Sequence, residues 1–130
     1  MDRKTKIWIK AMDIGSRYWG CHQIPERSFF IFGWQFPICA RCSGILAGEL
    51  IRLGFIRVKP LTVRASLAML LPLVIDGSIQ FKSDYESNNI KRAITGCIFG
   101  YAFIDLLIKI INIIFKSFKN ISRQNQINML

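Results

Sequence analysis

Several residue types are scarce in this sequence, and each shortage narrows the set of possible functions. Only one of the 130 residues is histidine, and only four are cysteine. Any metal site that combines imidazole and thiol ligands must therefore be built around His22 and the Cys21 that precedes it. No ribonucleoprotein-type motif of basic and aromatic residues occurs, so we expect no nucleic-acid partner. The first ten residues contain no long apolar stretch and no small-residue cleavage site, so we expect no signal peptide.

Acidic residues are also few, whereas apolar and basic residues are abundant. Eight Asp and Glu stand against eighteen Lys and Arg, which gives a net charge of +10. The chain is 52% hydrophobic with a mean hydropathy of +0.31, which is more apolar than a soluble domain of this size usually is. The basic residues lie between the apolar runs, as the flanks of membrane segments do. The composition therefore predicts a single-domain membrane protein with lipid as its partner.

Three apolar runs determine the predicted fold. They extend over about residues 38–56, 61–81 and 90–115. Each approaches the roughly 20 residues that a helix needs to cross a bilayer. Glu49 and Arg52 in the first run indicate that it faces other helices and not lipid alone, and Asp105 and Lys109 in the third are spaced to pair on one helical face. We therefore predict an all-α integral membrane bundle of about three transmembrane helices.

Small residues on two of these runs favour close contact with a neighbouring helix. Gly96 and Gly100 form a GxxxG pair on the third run. The first run carries four small residues on one side: Ala40, Gly44, Ala47 and Gly48. We expect another helix to approach closely at these positions.

The remaining segments complete three predicted regions. Residues 1–19 are predicted to form an amphipathic interfacial helix, because basic side chains lie opposite Trp8 and its aliphatic neighbours; an ordinary amphipathic helix packed on the protein is the alternative. Residues 20–118 form the membrane domain, which begins with an irregular loop that bears Cys and His and is broken by Gly and Pro. Residues 119–130 are a polar tail for which we predict disorder.

Three helices that alternate in direction bring distant polar residues to the same membrane face. The first helix begins at Cys39 and Cys42, the second ends near Asp76 and Gln80, and the third begins after Ser87. All of these positions therefore lie at one face of the bilayer. We expect the chemistry of the protein to be located there.

The cysteines and the single histidine are predicted to bind a metal. Cys21, His22, Cys39 and Cys42 provide four ligands, which is a complete tetrahedral set for zinc. Adjacent side chains such as Cys21 and His22 diverge, so in an alternative arrangement one of the two lies outside the first coordination sphere and leaves a position open for water. Two alternatives remain: the Cys39–Cys42 pair cycles as a redox dithiol, or the thiols are inert.

Other polar residues at this face are predicted to act on a substrate. Glu26 lies four residues after His22 and is a candidate general base, although a surface ion pair with a neighbouring arginine is the alternative. Asp76 is a second candidate catalytic residue, either as a metal ligand or as the acceptor that orients His22. Candidate substrate-binding residues, suited to an anionic group, are Arg41, Gln80, Asn88, Asn89 and Arg92. Residues 87–89 are also a predicted helix N-cap.

The same residues carry a resemblance to a known family. The segment Cys21-His22-Gln23-Ile24-Pro25-Glu26-Arg27-Ser28-Phe29-Phe30, followed by Cys39-Ala40-Arg41-Cys42-Ser43-Gly44, resembles a small membrane-protein family known as domain of unknown function 2085. The resemblance continues in Pro72–Gln80 and Ser87–Gly96 and covers roughly residues 20–100. It implies an integral membrane protein of bacterial or archaeal type and supplies no activity.

These observations predict a multi-pass cell-membrane metalloprotein. Its most concrete form is a zinc-dependent enzyme that acts on an amphipathic or lipid-linked anionic substrate. The alternatives are a membrane thiol–disulfide oxidoreductase and a non-catalytic accessory subunit with a structural zinc site. The purely basic connection between the first two runs favours a cytoplasmic position for it, and hence an extracytoplasmic site. Short spans with polar interiors also suggest a homo-oligomer or a partner subunit.

Overall fold

The computed structural model describes residues 2–83, 85 and 87–128 and contains four helices and one hairpin among them. In chain order these elements are helix α1 (Arg3–Trp19), a single 3-10 turn (Pro25–Arg27), strands β1 (Ser28–Ile31) and β2 (Trp34–Cys39), and helices α2 (Ala40–Gly54), α3 (Val63–Lys82) and α4 (Asn89–Asn128). The structure is therefore mostly helical, as predicted.

The hairpin corrects the prediction of an all-α fold with an irregular loop over 20–38. Strands β1 and β2 pair antiparallel, with Phe30 opposite Gln35 and Ser28 opposite Cys39. Phe32 and Gly33 form the two-residue turn, and both have positive φ values, 51° and 80°. Such turns suit the right-handed twist of paired strands, and Gly33 adopts the conformation without strain. Gly33 therefore makes a turn where the sequence analysis expected only a break.

Helix α1 packs against this hairpin. The indole Nε1 of Trp8 donates a hydrogen bond to the Gln35 carbonyl oxygen at 2.8 Å, and its ring lies 5.5 Å from that of Trp34. Near the other end of α1, Gly15 is buried against the carbonyl oxygen of Pro37, where a Cβ atom would have no room. Part of the amphipathic face of α1 is thus covered by protein, and the interfacial position predicted for residues 1–19 stays a prediction.

Helices α2 and α4 lie in backbone contact and run parallel. Gly44 faces the backbone of Ala93, and Gly48 faces that of Cys97. From the α4 side, Gly96 and Gly100 approach the backbone of α2 in the same way. The predicted close approach at small residues is therefore confirmed, and it joins these two helices.

Helix α3 runs antiparallel to both and closes the bundle with ion pairs. At one end of the bundle Arg41 of α2 contacts Asp76 of α3. At the other end Asp105 accepts hydrogen bonds from Arg52 at 2.8 Å, from Lys109 at 2.6 Å and from the Ser66 hydroxyl at 2.9 Å. The predicted Asp105–Lys109 pair is confirmed, and Arg52 joins it from α2. The cluster links all three helices, because Arg52 lies on α2, Ser66 on α3 and Asp105 on α4. Both Asp105 and Arg52 are buried.

Two of the three predicted spans are supported. Within the described part of the chain, Val63–Lys82 and Asn89–Gln124 are the helices long and apolar enough to cross a membrane. Helix α2 has only 15 residues, or about 22 Å, which is less than the hydrocarbon thickness of about 30 Å. The first span, predicted over about 38–56, is shorter than expected because residues 38–39 belong to strand β2 and the helix ends at Gly54. Helix α4 continues to Asn128, through most of the tail for which disorder was predicted; residues 129 and 130 lie outside the described ones.

The glycine contact predicts a selective effect of added methyl groups. A Cβ at Gly48 would collide with the backbone of Cys97, whereas a Cβ at Gly54 in the same helix would meet nothing within 4 Å. Backbone atoms cannot rotate away, so we expect Gly48→Ala to lower the free energy of unfolding by about 1–3 kcal/mol. Thermal unfolding in detergent measures this change. Gly54→Ala is the matched control, and equal effects of both substitutions would contradict the close approach.

Candidate metal centre

Three cysteine sulfurs converge where the hairpin joins α2. The Sγ atoms of Cys21, Cys39 and Cys42 all lie within 4.8 Å of one another. Thiolates are the preferred ligands of zinc and other thiophilic cations, and three of them around one ion leave a fourth position free. Cys97, the remaining cysteine, is on α4 and lies outside this group. The cluster is therefore compatible with binding a metal ion.

The way in which α1 ends places Cys21 beside Cys39 and Cys42. Gly20 adopts the left-handed conformation (φ 58°) that commonly ends helices, and its backbone N–H bonds to the Gly15 carbonyl. The backbone N–H of Cys21 donates to the same carbonyl, and the chain then turns towards β2. Cys21 is consequently 6% exposed, although it follows a helix whose surface is largely exposed.

Two glutamine side chains hold this loop against the hairpin. The Gln23 amide nitrogen donates to the carbonyl oxygens of Met12, at 2.6 Å, and Pro37, at 2.7 Å. In return, the Gln35 amide donates to the Gln23 carbonyl oxygen at 2.6 Å. Gln23 itself has a positive φ of 52°, which non-glycine residues adopt only when the surroundings hold them there. These bonds fix the distance between Cys21 on the loop and Cys39 at the end of β2.

Hydrogen bonds to sulfur favour one thiolate in the cluster, at Cys39, whereas the hydrogen bond with Cys39 and burial raise the pKa of Cys42. The backbone N–H of Cys39 donates to the Cys21 sulfur at 3.1 Å. The Cys42 thiol lies within hydrogen-bond reach of the Cys39 sulfur, and this contact lowers the pKa of Cys39 to about 5. Cys39 immediately precedes α2 and Cys42 lies in its first turn, so the positive end of the helix dipole also faces the sulfurs.

His22 is placed beside the sulfurs but not among them. Its side chain is exposed and lines the same cavity as the three cysteines, while its ring nitrogens lie outside the 4.8 Å group. Neighbouring side chains diverge, and here Cys21 points inward. The role of His22 as fourth ligand therefore stays a prediction.

A cavity of about 170 Å³ opens next to the sulfur group. Three guanidinium groups contribute to its lining: those of Arg27, Arg41 and Arg92. Arg92 is buried, with only 4% of its surface exposed. The Nε atom of Arg41 is buried without a hydrogen-bond acceptor among the described residues. A cavity that has three arginines in its lining and lies beside a potential metal position is chemically suited to an anionic ligand.

Asp76 contacts Arg41, and Gln80 contacts Asp76. The Arg41 Nη2 atom lies 2.6 Å from Asp76 Oδ2, and the Gln80 amide donates to the same oxygen at 3.0 Å. Gln80 also lines the cavity, as predicted for a substrate-binding residue. Asp76 lies outside the group of potential metal ligands. Its contacts fit the positioning of Arg41, and the catalytic role predicted for Asp76 is untested.

The remaining predicted residues lie at the rim. The Asn88 side chain accepts a hydrogen bond from the Ile90 backbone N–H, so it caps α4. The Asn89 amide donates to the carbonyl oxygens of Glu26 and Ser28 and ties the loop to α4. Glu26 is exposed, and neither its side chain nor those of the two asparagines line the cavity. The functions predicted for these three residues stay predictions.

The sequence analysis missed the part played by two residues. Gln23 clamps the cysteine loop, and Arg27 lines the cavity. The available signal was their position inside the Cys21–Phe30 segment that carries the family resemblance. Their contacts could not be read from it, because the positive φ of Gln23 and the turn at Gly33 arise only in the folded hairpin.

Comparison with known proteins identifies relatives without an assigned activity. Residues 21–106 match the family described as predicted membrane protein (DUF2085). An uncharacterised protein of Methanocaldococcus jannaschii is 37% identical over 110 residues, which cover 76% of this chain and 69% of the relative. One of Methanothermobacter thermautotrophicus is 38% identical over 81 residues, covering 58% of this chain and 73% of the relative. No solved structure matches. The chain therefore belongs to the DUF2085 family of predicted membrane proteins.

Proposed function

We propose that this protein is a membrane metalloprotein that binds zinc through Cys21, Cys39 and Cys42. The observation that supports it best is the mutual approach of the three sulfurs within 4.8 Å, although they come from two segments 18 residues or more apart. Placing three thiols close together without a cation costs folding free energy, because their sulfurs are reactive and partly charged. A divalent ion offsets this cost, because it binds the thiolates and takes up their charge.

The fourth coordination position is the one that gives the site its chemistry. We propose that it is filled by His22 or by water, since His22 borders the cavity and the cavity reaches the sulfurs. A water held there becomes more acidic and can serve as a nucleophile at neutral pH. Glu26 and Asp76 are the carboxylates of the same region and are proposed to assist, the latter through Arg41.

We further propose that the cavity accepts the anionic head group of an amphipathic or lipid-linked substrate. Arg41 and Arg92 would bind the head group, since both line the cavity and α3 and α4 beside them are candidate spans. The apolar part of such a molecule would remain in the surrounding lipid.

A second candidate function uses the same sulfurs differently. Cys39 and Cys42 are close enough for a thiol–disulfide oxidoreductase in which their two thiols form a disulfide and release two protons and two electrons. A quinone in the bilayer would accept these and become a quinol. A non-catalytic accessory subunit with structural zinc is the third candidate. Zinc content separates the oxidoreductase from the other two.

Zinc stoichiometry tests the metal proposal. Protein purified in detergent without added metal is expected to carry about one zinc per chain by elemental analysis. Cys42→Ser should lose most of this zinc, whereas Cys97→Ser, which changes a cysteine outside the group, should keep it. The oxidoreductase would be favoured if the wild-type protein contained no zinc and had a reducible Cys39–Cys42 disulfide in cells. Zinc loss with retained folding in Cys42→Ser would argue against a purely structural site.

The anionic-ligand proposal predicts a specific role for Arg41. Titration of the zinc-loaded protein with a short-chain phosphatidic acid should show saturable binding that Arg41→Gln weakens about tenfold or more. Arg64→Gln is the matched control, because Arg64 is an exposed arginine near the start of α3 that does not line the cavity. Equal binding by both variants would contradict the proposal.

We propose an extracytoplasmic position for the cysteine site, because the connection between α2 and α3 carries only basic charges. Helix α4 begins at the cysteine face, so its far end should then lie in the cytoplasm. In a bacterial host, a green fluorescent protein fused after residue 130 should fluoresce, and alkaline phosphatase fused there should be inactive. Active alkaline phosphatase together with a non-fluorescent green fluorescent protein fusion would place the cysteine site in the cytoplasm.

A further inference from the structure

The tip of the hairpin is unusually apolar for an exposed turn. Phe32 is 97% exposed, and its neighbours Phe30 and Ile31 are 57% and 50% exposed. Turns at protein surfaces are normally built from small and polar residues. Here aromatic and aliphatic side chains project at the point of the hairpin farthest along the strands from Cys39.

Helix α1 extends this apolar surface. Ile7 and Trp8 form a groove together with Trp34 of the hairpin, and Ala11 continues it. Further along the same side of α1, Ile14 is 41% and Tyr18 81% exposed. Spacings of seven and four residues place Ile7, Ile14 and Tyr18 on one helical stripe. The contacts of α1 with β2 therefore cover only part of its apolar surface.

Basic side chains border this surface. Helix α1 carries five of them and a single acid, Asp13, which is already paired with Arg17. Lys4 lines the edge of the apolar groove itself. The basic residues of α1 are Arg3, Lys4, Lys6, Lys10 and Arg17.

We propose that α1 and the hairpin tip form a lipid-docking surface that rests on an anionic membrane leaflet. The charge of α1 is complementary to anionic head groups, and each basic residue near such a surface adds attraction that salt screens. Tryptophans beside aliphatic side chains are the combination that partitions into the head-group region. The surface is also continuous with the bilayer, since β2 leads directly into α2, which packs along the candidate span α4. This inference is independent of metal binding.

Docking would hold the cysteine cavity at head-group level. Helix α1 contacts the bilayer with one side and, through Gly15 and the Gln23 clamp, positions the loop of Cys21 with another. The cavity would then open where the polar part of a lipid lies and not above it in water.

Tryptophan quenching tests the docking directly on the intact protein. The protein is reconstituted into vesicles of phosphatidylcholine and phosphatidylglycerol whose acyl chains carry bromine, a short-range quencher, and iodide is added as the aqueous quencher. Comparing wild type with Trp34→Phe isolates the emission of Trp34. Trp19→Phe is the matched control, because Trp19 does not line the groove.

Docking predicts that brominated lipid removes most of the Trp34 emission, whereas iodide leaves it nearly unchanged. The loss should decrease in vesicles of phosphatidylcholine alone and at high salt, because the basic residues of α1 then attract the leaflet less. Quenching of Trp34 by iodide but not by brominated lipid would place the tip in water and overturn the proposal. Protection from both quenchers would mean that another protein or a second copy covers the surface, and would overturn it equally.

Discussion

The close approach of α2 and α4 is the constraint on which the rest of the structure depends. Glycines at 44 and 48 on one helix and at 96 and 100 on the other let the two backbones touch. Apolar burial alone does not bring helices together in lipid, because the acyl chains are as apolar as the side chains. Close packing and interhelical polar contacts must therefore supply the attraction. Without this contact the first turn of α2, which carries Arg41 and Cys42, would have no fixed position relative to Arg92.

The parallel direction of these two helices decides which polar groups meet. Both start at the same end of the bundle, so Arg41 and Arg92 line one cavity, and both pass the level at which Arg52 reaches Asp105. Antiparallel α3 contributes Asp76 to the first group and Ser66 to the second. The bundle thus contains two separate polar layers with apolar side chains between them. The layer that contains Arg41 and Asp76 borders an open cavity, whereas Arg52 and Asp105 in the other layer are buried.

The sequence could predict the location of the site better than its internal geometry. The alternating direction of successive apolar runs correctly grouped Cys39, Cys42, Arg41, Gln80 and Arg92 at one end, because each run must begin at the end of the bundle where the previous run stopped. The hairpin escaped prediction because its strands are short and its turn places Phe32 at positive φ, against local preference. The length of α2 was overestimated for the same reason: apolar residues of β2 are indistinguishable from a helical start. The partner of Asp76 could not be predicted, because it is Arg41, 35 residues away in the sequence.

The charges around the cysteines suggest how a metal ion and an anionic ligand would influence each other. Three thiolates around a divalent cation leave the loaded cluster with one net negative charge. The positive charge of Arg41 is balanced by Asp76, and Arg27 and Arg92 also line the cavity beside the cluster. An incoming anion would then compete with the cluster for the same guanidinium groups unless it also occupies the fourth position on the metal. Direct coordination would remove that competition, because attraction to the cation replaces repulsion by the thiolates. A head group with a coordinating oxygen is therefore a better match for this cavity than an anion held by the arginines alone.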